Sequence, residues 1–147
     1  MRVLIVVVAA LLGSCAEPSK RGQYEQIVSS LRFMHIWDPQ KEGAGHFAYD
    51  AAMSSDEGID HVLAARITDE EPTAIHDRIA ERTAKVGDVA FFILLRRTNM
   101  KWQDFSDYGV FVSSQLPNPI FCIKWDPGAR MKVRNKFLEL LPDPEEY

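Results

Sequence analysis

Apolar residues are distributed along this chain in several distinct patterns, and each predicts a different element. Val3 to Leu12 (VLIVVVAALL) is an unbroken apolar run, too short to cross a bilayer as a stable helix. Tyr24, Ile27, Val28, Leu31 and Met34 recur at spacings of three and four, the period of an amphipathic helix, which Asp38-Pro39 then ends. Ile59, Val62, Leu63 and Ile67 repeat that period behind Ser54-Ser55-Asp56-Glu57, which reads as a cap with an acidic first turn. Val89 to Leu95 is apolar on every side. Asp88 before it and Arg96-Arg97 after it complement the two ends of a helix dipole, so residues 88–98 read as a buried helix with Phe92 as a core aromatic.

The stretches between are less periodic. Gly43 to Tyr49 leads into a short helix over Ala51 to Met53, and Ala74 to Ala84, anchored only by Ile75 and Ile79, is either a surface helix or a loop. Lys101 to Phe105 predicts one helical turn. Tyr108 to Val112 and Ile120 to Trp125 are rich in branched and aromatic residues, and Phe121, Ile123 and Trp125 alternate with Cys122 and Lys124 at the period of a strand. Pro117 and Pro119 leave a short β-hairpin and an extended, packed loop both open over 108–125. Asp126 as N-cap and Pro127 as the first helical residue start a last helix with Val133, Phe137, Leu140 and Leu141 inward. The fold class expected is mainly α: one compact helical domain over 23–141, after a tether at 15–22 and before a flexible tail at 142–147.

The amino terminus carries the most specific signal. Met1-Arg2, the apolar run and the small residues that close it match a secretory signal peptide, residues 1–14. Leu12-Gly13-Ser14-Cys15 resembles the lipobox of bacterial lipoproteins. That resemblance implies cleavage between Ser14 and Cys15 and lipidation of the Cys15 thiol with a diacylglyceryl group carrying palmitate-like chains. Ala16, where an aspartate would retain the protein in the inner membrane, implies delivery to the outer membrane, facing the periplasm. Several acyl chains anchor a protein stably where a single chain holds only marginally.

Charge narrows the partners. The chain has 17 basic and 21 acidic residues, a formal charge of −4, and losing Arg2 with the signal takes it to −5. Without the cation density that displaces counterions, nucleic-acid binding is not expected, anionic lipid headgroups are not expected to attract the chain either, and membrane attachment rests on the acyl chains alone. The only cysteine besides Cys15 is Cys122. In its setting of Ile120, Phe121 and Ile123 it reads as a buried, inert thiol.

Candidate catalytic chemistry is sparse. His35, His46, His61 and His76 lie eleven, fifteen and fifteen residues apart, with no HxxxH, HExxH or CxxC, so no metal site is expected. His46 with Asp50, and Glu57 with His61, share helix faces at a spacing of four and read as surface pairs or caps. No GxSxG, P-loop or GxGxxG appears, and no cofactor or catalytic residue is assigned. Lys85-Val86-Gly87-Asp88 reads as a turn feeding a capped helix, because Asp88 would repel an anion there. Trp37, Trp102 and Trp125 read as packing residues. The segments Ile59 to Pro72 and Val86 to Leu95 resemble the helices of HEAT-type modules of exported bacterial proteins, which implies a helical protein-interaction scaffold with no catalytic residues to carry over. The function expected is therefore a membrane-anchored, non-enzymatic lipoprotein that binds a protein partner of the envelope. The alternatives are a small envelope hydrolase using Asp50 or Glu57, and a periplasmic inhibitor or immunity protein.

Overall fold

The computed structural model describes residues 18–35, 37, 45–77, 81–113, 120 and 123–143. Residues 1–14, Cys15, Cys122 and Ile79 lie outside them. The chain is mainly helical with two small antiparallel hairpins, and it forms a single compact domain. The first helix, α1 (Lys20–Ser29), is capped by the Ser19 hydroxyl, which accepts the Gly22 N–H, and it continues as a 3-10 turn over Ser30–Phe33. Lys20 to Gly22, read from sequence as tether, are thus helical. Tyr24, Val28, Leu31 and Met34 are buried as their spacing demands, but the helix ends at Phe33, where Met34 turns extended, well before Pro39.

Helix α2 (Phe47–Ser54) and α3 (Gly58–Arg66) follow. The Asp56 carboxylate accepts the Gly58 N–H at 3.1 Å and so caps α3. Helix α4 (Val86–Arg97) is the core helix the apolar run predicts, with all but Phe92, Arg96 and Arg97 buried. It runs antiparallel to α3: Gly87 donates to the Asp69 carbonyl at 3.0 Å, and Arg97 reaches Asp60 at the other end. A β-hairpin joins these two helices.

That hairpin corrects the reading of Ala74 to Ala84 as a surface helix or loop. Strands β1 (Pro72–Asp77) and β2 (Arg82–Lys85) pair with His76 opposite Thr83 and Asp77 opposite Arg82. The cause is geometric. An eleven-residue helix would carry the chain about 16 Å away, yet Asp69 at the end of α3 and Gly87 at the start of α4 are hydrogen-bonded to each other, so the segment between them must return to its origin. Thr73 and Ile75 point inward and Ala74 and His76 outward, and Thr73 Oγ1 donates to the Ala84 carbonyl at 2.8 Å.

After α4 a 3-10 helix (Trp102–Tyr108) leads into β3 (Val110–Val112), which pairs with β4 (Ile123–Trp125), Phe111 opposite Lys124. Of the two readings left open for 108–125, the hairpin is the one observed. Helix α5 (Ala129–Leu140) begins two residues later than Asp126-Pro127 suggested. The Asp126 carbonyl accepts the Ala129 N–H at 2.9 Å and Gly128 sits at φ +85°, so Asp126 to Ala129 form a turn and the helix starts after it. Leu140, expected inward, is 49% exposed at the helix end. Pro142 is docked: its carbonyl bonds His61 Nε2 at 2.7 Å. The aromatic centre of the core is Phe91, ringed by Phe105, Trp125 and Phe137 at centroid distances of 5.2–6.1 Å. Phe92, the core aromatic expected from sequence, is only partly buried.

Candidate functional site

Two arginine–aspartate pairs, Arg97 with Asp60 and Arg130 with Asp88, reach into the interior. Arg97 donates to Asp60, and both side chains are about nine-tenths buried. Its remaining N–H groups take the carbonyls of Ala52, Ser55 and Asp56 at 2.7–3.0 Å, which ties the end of α2 to the start of α3. Sequence placed Arg97 at the carboxyl end of its own helix, where it lies, and from there it also serves the neighbouring helix. Asp88 accepts from the Lys85 N–H, Trp125 Nε1 and Arg130 Nη2 at 2.6–2.9 Å, while Arg130 lies over the Trp125 ring at 4.5 Å. The segment Lys85 to Asp88 is therefore a capped helix start, closed by an arginine.

Among the described residues, Phe33, Phe47, Phe111, Met131, Leu138 and Leu140 are the large apolar side chains that stay outward, and Phe47 follows His46. His46 Nδ1 accepts the Ala48 N–H at 3.3 Å and caps α2, and the 3-10 turn after α1 packs against that helix. The Gly45 N–H donates to both Asp50 oxygens at 3.1 and 3.2 Å and completes the cap. The Phe47 ring lies 4.8 Å from His46, and the exposed His35 meets it edge-on at 5.5 Å. Arg32 covers one face of Phe33 at 4.6 Å. Phe33 and Phe47 are 55% and 64% exposed. Burial holds the His46 imidazole below its ordinary pKa, and the neighbouring His35 pushes it the same way.

Two aromatic side chains this open, on a frame this well bonded, leave apolar surface exposed here. The surface lies away from the domain's beginning. Lys20 starts α1 beside Asp56, and Phe33 closes the 3-10 turn about 23 Å further along the axis. Sequence reasoning missed both phenylalanines, although a signal was present. Phe33 falls between Leu31 and Met34, off the buried stripe, and Phe47 is out of phase with the buried Ala48, Tyr49 and Ala52.

The other residues singled out from sequence have local roles. His61 bonds Pro142 rather than pairing with Glu57, which is exposed, and His76 Nδ1 meets Thr83 Oγ1 at 3.1 Å across the hairpin. Among the described residues no three His, Cys, Asp or Glu side chains gather as a metal cluster would require, and no helix is long and apolar enough to cross a membrane. Trp37 is buried against Tyr49 and Phe92, and Trp102 and Trp125 are half-buried. No family model, curated protein or solved structure matches the chain.

Proposed function

We propose that this chain is an exported lipoprotein, held through lipidated Cys15 at the periplasmic side of the outer membrane, that binds a protein partner and catalyses no reaction. The observation that carries the binding role is the exposure of two phenylalanines, Phe33 at the end of the 3-10 turn and Phe47 at the start of α2, on elements that pack against each other. Exposed apolar area of this kind is costly to leave in water, and aromatic side chains dominate the energetics of protein interfaces. The lipobox-like Leu12 to Cys15 supplies the anchor, and the distance along α1 supports a patch that faces away from it. Asp50 and Glu57, the carboxylates a hydrolase would use, do not favour that alternative: Asp50 is committed to the Gly45 N–H and Glu57 stands in open solvent.

The reading is tested in two steps. Cells fed a radioactive fatty acid should label the protein, and Cys15→Ser should remove the label. Affinity capture from solubilised envelope should return a discrete partner that Phe33→Ser/Phe47→Ser no longer retains. Absence of label from the wild type contradicts the anchor, and undiminished capture by the double variant contradicts the docking surface.

A further inference from the structure

The first turn of α2 depends on a side chain that titrates near neutral pH. His46 stands at its N-cap, where Nδ1 accepts the Ala48 N–H at 3.3 Å, a bond open only to the unprotonated nitrogen. Phe47, the next residue, is exposed and its ring lies 4.8 Å from that imidazole. His35, just past the 3-10 turn, brings a second imidazole edge-on at 5.5 Å. Asp50, in the same helix, is bonded through both oxygens to the Gly45 N–H. Among the described residues, His35 and Asp50 are the charged groups that bear on His46. The ionised side chains on the elements packed against α2 face elsewhere: Lys20 toward Asp56, Glu25 toward Arg66, Arg32 toward Glu71, Arg97 toward Asp60, and Arg96 toward the open cleft at the end of α4.

We propose that acid gates the docking surface: a proton taken up by His46 withdraws the cap of α2, opens its first turn and carries Phe47 out of the position in which it meets the partner. The proposal rests on the reading of Phe33 and Phe47 as that surface. Protonation acts in three ways. The nitrogen that accepted the Ala48 N–H becomes a donor, and the amide loses its acceptor. An imidazolium then stands at the positive end of the helix dipole. It also stands beside His35, and two imidazolium rings 5.5 Å apart repel. Asp50 attracts the imidazolium, but less than His35 opposes it. Gly45, at φ +91° with open space around it, leaves the chain that enters the turn room to move. Burial and His35 hold the capped imidazole below 6.5, so the open turn takes up the proton more readily than the capped one. Acid therefore favours the open turn, progressively as pH falls from 6.5 toward the depressed value of the capped form.

The test uses the full-length protein, in isolated envelopes and purified in detergent. In envelopes, a photo-crosslinking residue at position 47 should give its adduct at pH 7.5 and about five- to tenfold less at pH 5.5, reversibly. His46→Asn, a cap that does not titrate, should hold the yield equal at both values, and His46→Ser serves in its place if asparagine disturbs the fold. His35→Gln should move the midpoint of the loss to higher pH, because the charge that opposes protonation of His46 is gone. In the purified protein, amide hydrogen exchange over residues 47–51, corrected for its intrinsic pH dependence, should quicken at pH 5.5 in the wild type and not in His46→Asn. Equal adduct at both pH values overturns the proposal, as does exchange that acid leaves unchanged. An equal loss in His46→Asn also overturns it, because the sensitivity then lies outside this imidazole. Exchange that quickens in acid with no adduct at either pH keeps the switch and removes the docking reading instead.

Discussion

Arg97 and Asp60 join α4 to α3 through a hydrogen-bonded ion pair almost closed to solvent, and the same guanidinium caps the carbonyl end of α2. Three helices are thus held by one side chain. Arg97→Met leaves Asp60 buried without its cation and should cost about 3–5 kcal/mol in urea unfolding. Adding Asp60→Leu removes the orphaned charge and should recover part of that loss. Recovery stays incomplete, because the carbonyls of Ala52, Ser55 and Asp56 still lack their donor. Full recovery would show that capping α2 contributes nothing.

Gly87 is fixed by contact rather than by backbone angle. A Cβ there would stand 2.3 Å from the Ile67 carbonyl oxygen and 2.8 Å from that of Asp69, both backbone atoms that cannot step aside. Gly87→Ala should therefore destabilise by at least about 2 kcal/mol. Gly22, inside α1, has nothing closer than 3.4 Å, so Gly22→Ala should stabilise by about 0.5–1 kcal/mol. Thermal melts of the two variants should move in opposite directions.

Phe91 and Phe92 are adjacent and differ in burial. Phe91 is fully enclosed by Phe105, Trp125 and Phe137, whereas Phe92 borders the cleft at the end of α4. Phe91→Ala should cost about 3–5 kcal/mol, and Phe92→Ala distinctly less, by denaturant unfolding. Equal losses would contradict this packing.

Acid should weaken the fold in two windows. His46 titrates below its ordinary value of 6.5 in the folded chain, so as pH falls past 6.5 the unfolded chain takes up its proton first and stability declines. Protonation also removes Nδ1 as acceptor for Ala48. His46→Asn, a cap that does not titrate, should flatten the melting profile between about pH 7 and pH 5. Asp56 is held down to about 2 by its bonds to Lys20 and Tyr24. Its contribution is complete above 3.8 and lost as pH falls from there toward 2, a window that Asp56→Asn should erase. Profiles unchanged by either substitution would contradict these assignments.

The helices were legible where burial of one face leaves a period: Tyr24, Val28, Leu31 and Met34, or Ile59, Val62, Leu63 and Ile67, are each a stripe against the core. Residues 72–85 were not, because their composition permits a helix and only the meeting of Asp69 with Gly87 forces a return. Arg97 lies in the last turn of its helix as its position suggests, but its cross-helix bonds were not legible for a related reason. Its carbonyl partners lie 41 to 45 residues away, a distance over which charge patterning within one helix carries no information. The two exposed phenylalanines left a trace only as apolar residues out of phase with their own elements, a signal visible once the stripe is drawn.

The central claim, that Phe33 and Phe47 form the surface that meets a partner in the periplasm, is tested most directly in living cells. A photo-crosslinking residue placed at position 47 should give one discrete adduct on irradiation, and the same residue at position 138, exposed on α5, should not. Introducing Phe33→Ser should abolish the adduct from position 47, because both exposed rings belong to the surface proposed to meet the partner. An adduct of equal yield with Phe33→Ser, or one formed from position 138 and not from 47, would contradict the account.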